Sequence, residues 1–158
     1  MSEKPKSAGT CVDSLLTALR AARIGHWTWD VAADRVFWSP EVYDLVGCAP
    51  GAFAGTVEAF LATVHPDDRD RVAEVVNNAL ATGEGYRLEH RIANTERWVE
   101  CCGCVFRDEQ GRAVRLAGVV LDCTERKRMD AQLRDAERMA TLGGVTASVA
   151  HELNNPLA

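Results

Sequence analysis

Hydrophobic residues near the start of the chain recur with the spacing of a helix. They are Val12, Leu15, Leu16, Leu19 and Ala22. This pattern predicts an amphipathic helix over residues 11–24, with Gly25 as the residue that ends it. Residues 1–10 are rich in Lys, Ser, Gly and Pro and lack such a period, so we expect a disordered leader there.

The middle of the chain alternates between strand-like and helix-like segments. Five segments have the two-residue period or the composition of strands: 26–31, 36–38, 86–92, 97–107 and 113–122. The residues that mark three short helices between the second and third strands are Ser39-Pro40, Thr56 and Pro66 at the starts, and Gly47 and Gly83 at two of the ends. This order favours an α+β fold, a five-stranded antiparallel sheet with the short helices on one face.

The last part of the chain has the pattern of a C-terminal coiled-coil helix. No proline interrupts residues 125–151, and small or apolar residues recur at alternating steps of four and three: Met129, Leu133, Ala136, Ala140, Gly143, Ala147 and Ala150. Such a heptad seam predicts a two-stranded parallel coiled coil and therefore a homodimer. Gly143 and Gly144 each cost about 1 kcal/mol relative to alanine inside a helix, which predicts a soft point. The alternative is a single amphipathic helix packed back on its own domain.

Charge and hydropathy exclude two classes of partner. The net charge of −5 and a pI near 5.4 provide no basic surface for nucleic acid. No apolar run reaches the roughly 20 residues that a membrane-spanning helix needs, and no signal peptide follows the polar start. We therefore expect no membrane segment in this chain and a cytoplasmic location.

The cysteines and histidines of the chain could in principle form a metal site. The chain has six cysteines, which a cytoplasmic domain with its own core should keep as free thiols. Cys101, Cys102 and Cys104 lie on one predicted strand, where only the last two share a face, so three thiolates converge poorly even with His90 from the next strand. The zinc pattern H-E-x-x-H fails because Asn155 stands where the second histidine would be. We expect no metal.

Several motifs in a fixed order resemble a PAS domain. They are Gly25 to Trp29 with Trp38-Ser39-Pro40-Glu41, Val64-His65-Pro66-Asp67-Asp68, Arg97-Trp98-Val99, and Gly118 running into Asp122-Cys123-Thr124-Glu125-Arg126-Lys127. The resemblance covers residues 22–128 and implies a PAS sensor domain over residues 25–124. The sequence departs from the usual pattern at the short turn Ala93–Glu96 and at Cys123, where an aliphatic residue is usual.

The junction between the last strand and the final helix is a candidate signal relay. Asp122 ends the predicted strand and Thr124 is placed to cap a helix that begins at Glu125. A shift at the sheet edge would pass directly to the first helical turn. In PAS proteins the aspartate and threonine of this motif are typically the signal exit, so the resemblance implies that role for Asp122 and Thr124.

The resemblance also implies a core that can hold haem, flavin or a small metabolite. The Asn-Cys-Arg-Phe run of light-sensing flavin PAS domains is missing. His65 is a possible haem ligand, but its position at the start of a helix favours a capping or surface role. Trp27, Trp29 and Trp38, like Trp98, are more often core than cofactor contacts. The sequence assigns no certain cofactor, and the PAS ligand stays unknown.

The segment His151-Glu152-Leu153-Asn154-Asn155-Pro156-Leu157 resembles the H-box of histidine kinases. A lone histidine on a helix is usually structural or solvated, but Glu152 can take the proton of one ring nitrogen while the other attacks a γ-phosphoryl group in line. By resemblance, His151 is the phosphoacceptor, Glu152 its acid/base partner, and Asn155 the residue that orients water or phosphate.

These features together predict the sensor module of a two-component histidine kinase. Residues 125–158 would be a signalling helix and a truncated phosphoacceptor segment, and phosphate would pass from His151 to a response regulator. The 158 residues contain no ATP-binding motif, so ATP is expected to bind the parent kinase and this chain to be inactive alone. The alternatives are a non-enzymatic ligand-binding or dimerisation PAS module and a PAS domain that regulates a cyclic-dinucleotide enzyme.

Overall fold

The computed structural model describes residues 8–153, with side chains for residue 9 and residues 11–140. The chain divides into two compact units, Met1–Cys123 and Thr124–Ala158. In chain order the first contains helix α1 (Ala8–Ala21), strands β1 (Gly25–Asp30) and β2 (Arg35–Trp38), helices α2 (Pro40–Val46) and α3 (Val57–Thr63), a 3-10 helix (Pro66–Asp68), helix α4 (Arg69–Thr82), and strands β3 (Tyr86–Arg91), β4 (Trp98–Arg107) and β5 (Ala113–Asp122). The second contains helix α5 (Thr124–Leu153).

The five strands form one sheet in the order β2-β1-β5-β4-β3. Every neighbouring pair is antiparallel, so the predicted five-stranded antiparallel sheet is confirmed. The last strand pairs with the first, which joins the N-terminal hairpin to the C-terminal meander. In this register Trp27 lies opposite Gly118 on one side and Trp38 on the other.

The first helix lies three residues earlier in the chain than the predicted range 11–24. Helix α1 begins at Ala8, inside the predicted leader, and ends at Ala21; residues 1–7 of that leader lie outside the described residues. Arg23 takes the left-handed conformation, with φ of 54°, and Ile24 N–H donates to Leu19 O at 2.9 Å. This is the hydrogen bond of a Schellman end. Gly25 lies in β1 instead, where a Cβ would approach Val42 Cγ2 to 2.7 Å.

The short helices are capped nearly as predicted. Thr56 Oγ1 accepts a hydrogen bond from Ala59 N at 3.1 Å, and Gly47 and Gly83 end their helices with φ of 75° and 81°. Ser39 differs, because its hydroxyl makes no bond to an amide of α2 and accepts from His26 N at 3.0 Å instead. The hydrogen bond of this fully buried serine therefore links the start of α2 to β1.

The helices and the inner face of the sheet enclose the core. One buried cluster comprises Trp38, Val42, Ile92, Val99 and Val120. A second comprises Val64, Val72 and Leu88. Arg97 holds the C-terminal end of α2, because its Nη1 donates to the carbonyls of Asp44 and Leu45 at 2.9 Å each. A positive charge at the C-terminal end of a helix is also stabilising, because it interacts favourably with the helix dipole.

Helix α5 is continuous for 30 residues, including the two glycines. It begins at Thr124, one residue before the predicted start, a difference within the usual spread of helix assignment. Met129 and Leu133 of the predicted seam are 58% and 60% exposed. Among residues 8–153, no helix combines the length and the apolar character that crossing a membrane requires.

Candidate ligand cavity and output segment

A cavity of about 60 Å³ lies between the inner face of the sheet and helices α2, α3 and α4. Most of its wall is aliphatic or aromatic, and the side chains that decide its chemistry are Trp27, Trp29, Tyr86, His90 and Cys101. Alternation along the strands brings them together, because each stands on the inward-facing set of its own strand.

Two glycines make room for the aromatic floor of this cavity. Gly103 and Gly118 lie opposite each other on β4 and β5. A Cβ on Gly103 would lie 2.7 Å from Tyr86 Cε1, and one on Gly118 would lie 2.7 Å from Trp27 Cζ2. The two rings lie near-parallel in the resulting hollow, with centroids 6.4 Å apart.

Polar groups gather at one end of the cavity. Burial raises the pKa of the Cys101 thiol to about 12, while the side chains of Trp27 and Tyr86 oppose that rise by hydrogen bonding. Burial also raises the pKa of Tyr86 well above its usual value. Both groups are therefore neutral at pH 7. Trp27 Nε1 is buried without an oxygen or nitrogen partner among the described residues, and the acceptor that it approaches is the Cys101 sulfur, whereas Trp29 Nε1 donates to Asp34 Oδ1 at 3.0 Å.

His90 is the histidine of this wall, and it is 4% exposed. Burial lowers its pKa, although its hydrogen bond to the Arg91 backbone and the charge of Asp68 act in the opposite direction. Its Nδ1 lies 3.3 Å from Arg91 O, and its ring packs edge-on against Phe60 at 6.2 Å. The imidazole is therefore neutral at pH 7, and none of the described wall residues is Asp, Glu, Lys or Arg.

A buried ion pair holds β3 beside the helices. Arg91 Nε and Nη2 donate to the two carboxylate oxygens of Asp68 at 3.0 and 2.8 Å, and Arg91 N donates to Asp68 Oδ2 at 2.9 Å. These bonds outweigh desolvation and lower the pKa of Asp68 to about 2. Because Arg91 follows His90, the pair also positions the imidazole in the cavity wall.

The output segment contains the residues that the sequence singled out for signalling. Asp122 is the last residue of β5, opposite Val99, and Thr124 is the first residue of α5. His151 and Glu152 lie within the backbone of α5, but their side chains are outside those described, and Asn155 lies outside the described residues. The roles predicted for all five residues stay predictions.

Comparison with known proteins decides the family. The sequence profile of the family described as PAS fold matches residues 35–120, which is more than half of the chain. The chain belongs to the PAS fold family. As a PAS sensory domain, it resembles those of histidine kinases and of diguanylate cyclases.

The relatives of this PAS domain include two signalling proteins of known description. It is 31% identical over 117 residues to the sensor protein FixL of Bradyrhizobium diazoefficiens, covering 72% of this chain and 23% of that protein. It is 28% identical over 159 residues to a blue-light-activated histidine kinase of Brucella anthropi, covering 99% of this chain and 29% of that protein. The chain thus spans less than a third of the length of these relatives.

Two further comparisons bear on fold and output. The crystal structure of a sensory box histidine kinase/response regulator from Burkholderia thailandensis has a TM-score of 0.69 and 25% identity, and the match covers 80% of this chain and 97% of that chain. The probable diguanylate cyclase DgcE of Escherichia coli is 24% identical over 131 residues, which cover 81% of this chain and 12% of that protein. The same kind of PAS domain therefore occurs in proteins of different output.

The described wall of the cavity offers no amide side chain to the polar edge of a flavin and no Lys or Arg to a phosphate or carboxylate group, and its one imidazole is that of the buried His90. His65, the candidate haem ligand, instead caps the 3-10 helix, since its Nδ1 accepts from Asp67 N at 3.3 Å.

The cysteines of the PAS domain behave as the strand alternation predicts. Cys101 is buried, Cys102 is half-buried and Cys104 is exposed, and all six thiols are free. No group of three or more His, Cys, Asp or Glu suited to a metal ion occurs in the part of the chain that the structure describes. Trp98 stands apart from the other tryptophans, because it packs against Arg91 and lies outside the cavity wall.

Sequence reasoning missed three features of the cavity. The approach of Trp27 to the Cys101 thiol and the Asp68–Arg91 pair depend on contacts between distant segments. The hollow over Gly103 and Gly118 did have a signal, since glycine inside a strand often marks a close approach of other groups. The register of the sheet shows that these two glycines lie opposite each other, which the sequence alone does not reveal.

Proposed function

We propose that this PAS domain is the sensor module of a two-component histidine kinase and that α5 carries its signal to the phosphoacceptor His151. The observation that carries the proposal is the unbroken course of α5 from Thr124 to Leu153. Over the 27 residue-to-residue steps from Thr124 to His151, a helix rises about 40 Å. One rigid element thus leads from the end of β5 to the H-box-like segment.

The proposed relay begins where the sheet ends. Asp122 pairs with β4 and only Cys123 separates it from the first residue of α5. Cys123 is buried, and its amide donates to Trp98 O at 2.9 Å. In the proposed relay, a change in the register or twist of β5 reaches Thr124 through this one residue.

The proposed chemistry is a phosphoryl transfer to imidazole. A ring nitrogen of His151 forms a bond to the γ-phosphorus of ATP as the bond to the bridging oxygen breaks, and ADP leaves. Glu152 takes the ring proton, and Asn155 orients the phosphoryl group or water. The phosphoryl group then passes to an aspartate of a response regulator. ATP would bind another part of the parent kinase, in the cytoplasm.

A homodimer through α5 is part of the proposal. The seam residues Met129 and Leu133 are more than half exposed in the single chain, and their spacing suits a parallel partner helix. Leaving such large apolar side chains in water forgoes roughly 1.5–3 kcal/mol each relative to full burial. A second copy of α5 would cover them.

The test uses the proposed parent kinase, in which this chain is joined to an ATP-binding domain. Incubation with γ-labelled ATP should give a label that is acid-labile and alkali-stable, as phosphohistidine is. His151→Gln should abolish the label, because no imidazole is left to attack. The matched control is His26→Gln, which removes an imidazole from β1 and should label like the wild type.

The outcomes separate the candidate functions. An undiminished label in His151→Gln would refute the phosphoacceptor role. A parent protein that takes up no label, yet binds a small molecule in the cavity, would favour the non-enzymatic ligand-binding or dimerisation module, for which the largely apolar cavity is the specific observation.

A further inference from the structure

Two cysteines on the outer face of the sheet form a thiol pair that neither the cavity nor the output segment uses. Cys102 and Cys104 lie on β4 with one residue between them. The strand alternation that places Cys101 in the cavity wall turns both of them to the opposite face. Cys102 is half-buried, Cys104 is exposed, and both are free thiols. On β5 they lie opposite Val119 and Ala117, so the side chains that flank the pair on that side are small or aliphatic.

The spacing of the pair excludes a direct disulfide and suits a bridging atom. Two residues apart on one face of an antiparallel strand, Cβ atoms lie about 6.8 Å from each other, whereas a disulfide needs about 3.5–4.5 Å between them. An atom held in line between two sulfurs by bonds of about 2.3 Å places the sulfurs about 4.6 Å apart. Each side chain reaches that separation by leaning about 1 Å towards the other. The strand thus presents two sulfurs at the spacing of a linear, two-coordinate metal site.

The number and the type of the ligands restrict the metal. Structural zinc takes four ligands, and the side chains that the structure describes include no group of three or more metal ligands. His26 is the histidine of the same sheet face, but Val119 separates it from Cys102 in the register, which amounts to two strand spacings or about 10 Å. Soft thiolate ligands select monovalent copper, an ion that two ligands in line can satisfy. Cu(I) is therefore the ion that this pair suits.

The charges beside the pair are compatible with such a complex. Binding breaks two S–H bonds, forms two S–Cu bonds and releases two protons to the solvent. Copper stays monovalent throughout, so the step consumes no oxidant or reductant, and the complex carries one net negative charge. Cys102 Sγ donates to Glu100 Oε1 at 4.0 Å. Arg87 lies opposite Cys102 on β3, and its Nε pairs with the same carboxylate oxygen at 3.0 Å, so a positive charge accompanies the negative one.

We propose that Cys102 and Cys104 bind one Cu(I) ion as a linear dithiolate on the outer face of the sheet. The site lies on the side of the sheet away from the cavity. It goes beyond the proposed sensory function, because it requires neither a ligand in the cavity nor phosphate on His151. The three neighbouring cysteines of β4 then divide into one core residue, Cys101, and two metal ligands.

The first experiment titrates the 158-residue chain without oxygen, with Cu(I) supplied as its coloured bicinchoninate complex. The wild type should take one Cu(I) per chain from the complex. Cys102→Ser and Cys104→Ser should each lower the affinity by more than the roughly 10–100-fold that loss of an outer-shell partner costs, because a serine oxygen is a poor ligand for a soft ion. The matched control is Cys11→Ser, which removes an exposed thiol from α1 and should bind copper like the wild type. Circular dichroism checks that each variant is folded.

Two further measurements need no substitution. X-ray absorption of the copper-loaded wild type should show two sulfur ligands at about 2.3 Å and no nitrogen ligand. Alkylation of the same sample by iodoacetamide, read by peptide mass spectrometry, should leave Cys102 and Cys104 protected together and Cys11 reactive. Without copper, the exposed Cys104 should be alkylated as readily as Cys11.

Three results would overturn the proposal. The first is wild-type affinity in either single variant of the pair, which would indicate adventitious binding of copper to one thiol only. The second is a weakening in Cys11→Ser as large as that in Cys104→Ser, since thiols of different elements would then contribute alike. The third is an absorption spectrum with a nitrogen ligand or a third sulfur, which would place the metal elsewhere or between two chains.

Discussion

Replacing Asp68 by alanine is expected to destabilise the PAS domain by about 2–3 kcal/mol, because the buried carboxylate loses its charge-assisted hydrogen bonds to Arg91. Asp68 accepts two side-chain bonds and one backbone bond from Arg91. The variant loses all three bonds, whereas the backbone bond from His65 N to Arg91 O remains. Urea unfolding followed by circular dichroism measures the difference in the free energy of unfolding.

Asp67 provides the matched control. Its carboxylate lies 3.4 Å from the same guanidinium, but its side chain is 70% exposed, against 10% for Asp68. Exposed ion pairs contribute at most about 1 kcal/mol, so Asp67→Ala should cost less than that. Equal losses in the two variants would contradict the account, because burial would then not be what gives the Asp68 pair its value.

The same pair predicts a pH dependence with a definite sign. The pKa of Asp68 is about 2 in the folded protein and 3.8 in its ordinary state. A lowered folded pKa stabilises the protein fully above the ordinary value, and this contribution, about 2 kcal/mol, is lost as the pH falls from 4 towards 2. Asp68→Asn should remove that part of the acid sensitivity. A variant whose unfolding free energy falls as steeply as that of the wild type would contradict the assignment.

Replacing Gly118 by alanine is the second change with a large expected effect. The added Cβ would overlap the carbonyl of Cys102 on the neighbouring strand and lie 2.7 Å from Trp27 Cζ2. A backbone carbonyl in a central strand pair cannot turn away as a side chain can. We expect a loss of about 3 kcal/mol or more, at the upper end for overpacked cores, measured by thermal and urea unfolding.

Gly103→Ala is the comparison for that result. It lies directly opposite Gly118, but its Cβ would meet only the side chains of Tyr86 and Trp27. These rings can shift towards the cavity, so we expect a smaller loss, about 1–2 kcal/mol. A larger loss of stability in Gly103→Ala than in Gly118→Ala would contradict this account. It would mean that the backbone of the sheet at β5 moves aside more easily than the rings of Tyr86 and Trp27 do.

The local signals of the sequence were sufficient for most of the fold. Thr56, Gly47 and Gly83 mark helix ends because capping and left-handed conformations depend on the residue itself. The end of α1 was missed for a related reason. Arg23, a residue without the conformational freedom of glycine, takes the left-handed position, and Gly25 serves packing against Val42.

The site was less predictable than the fold. The partner of each tryptophan N–H depends on the fold, because a turn brings Asp34 to Trp29, whereas the sheet brings the Cys101 thiol to Trp27. The value of Asp68 depends on Arg91, 23 residues away. Residue type and spacing do not reveal which distant residues come into contact. The H-box-like motif at His151 could be recognised from the sequence because its residues are consecutive.

The central claim is that α5 transmits the state of the PAS domain to His151 as a rigid helix. The most direct measurement is the rate of labelling by γ-labelled ATP in two insertion variants of the parent protein. Duplicating residues 130–136 adds one heptad and keeps the seam in register, so the rate should stay near that of the wild type. Inserting two alanines after Ala136 turns the seam by about 200° and should change the rate at least about fivefold, the lower range of allosteric coupling. Equal rates in the two variants would contradict the claim.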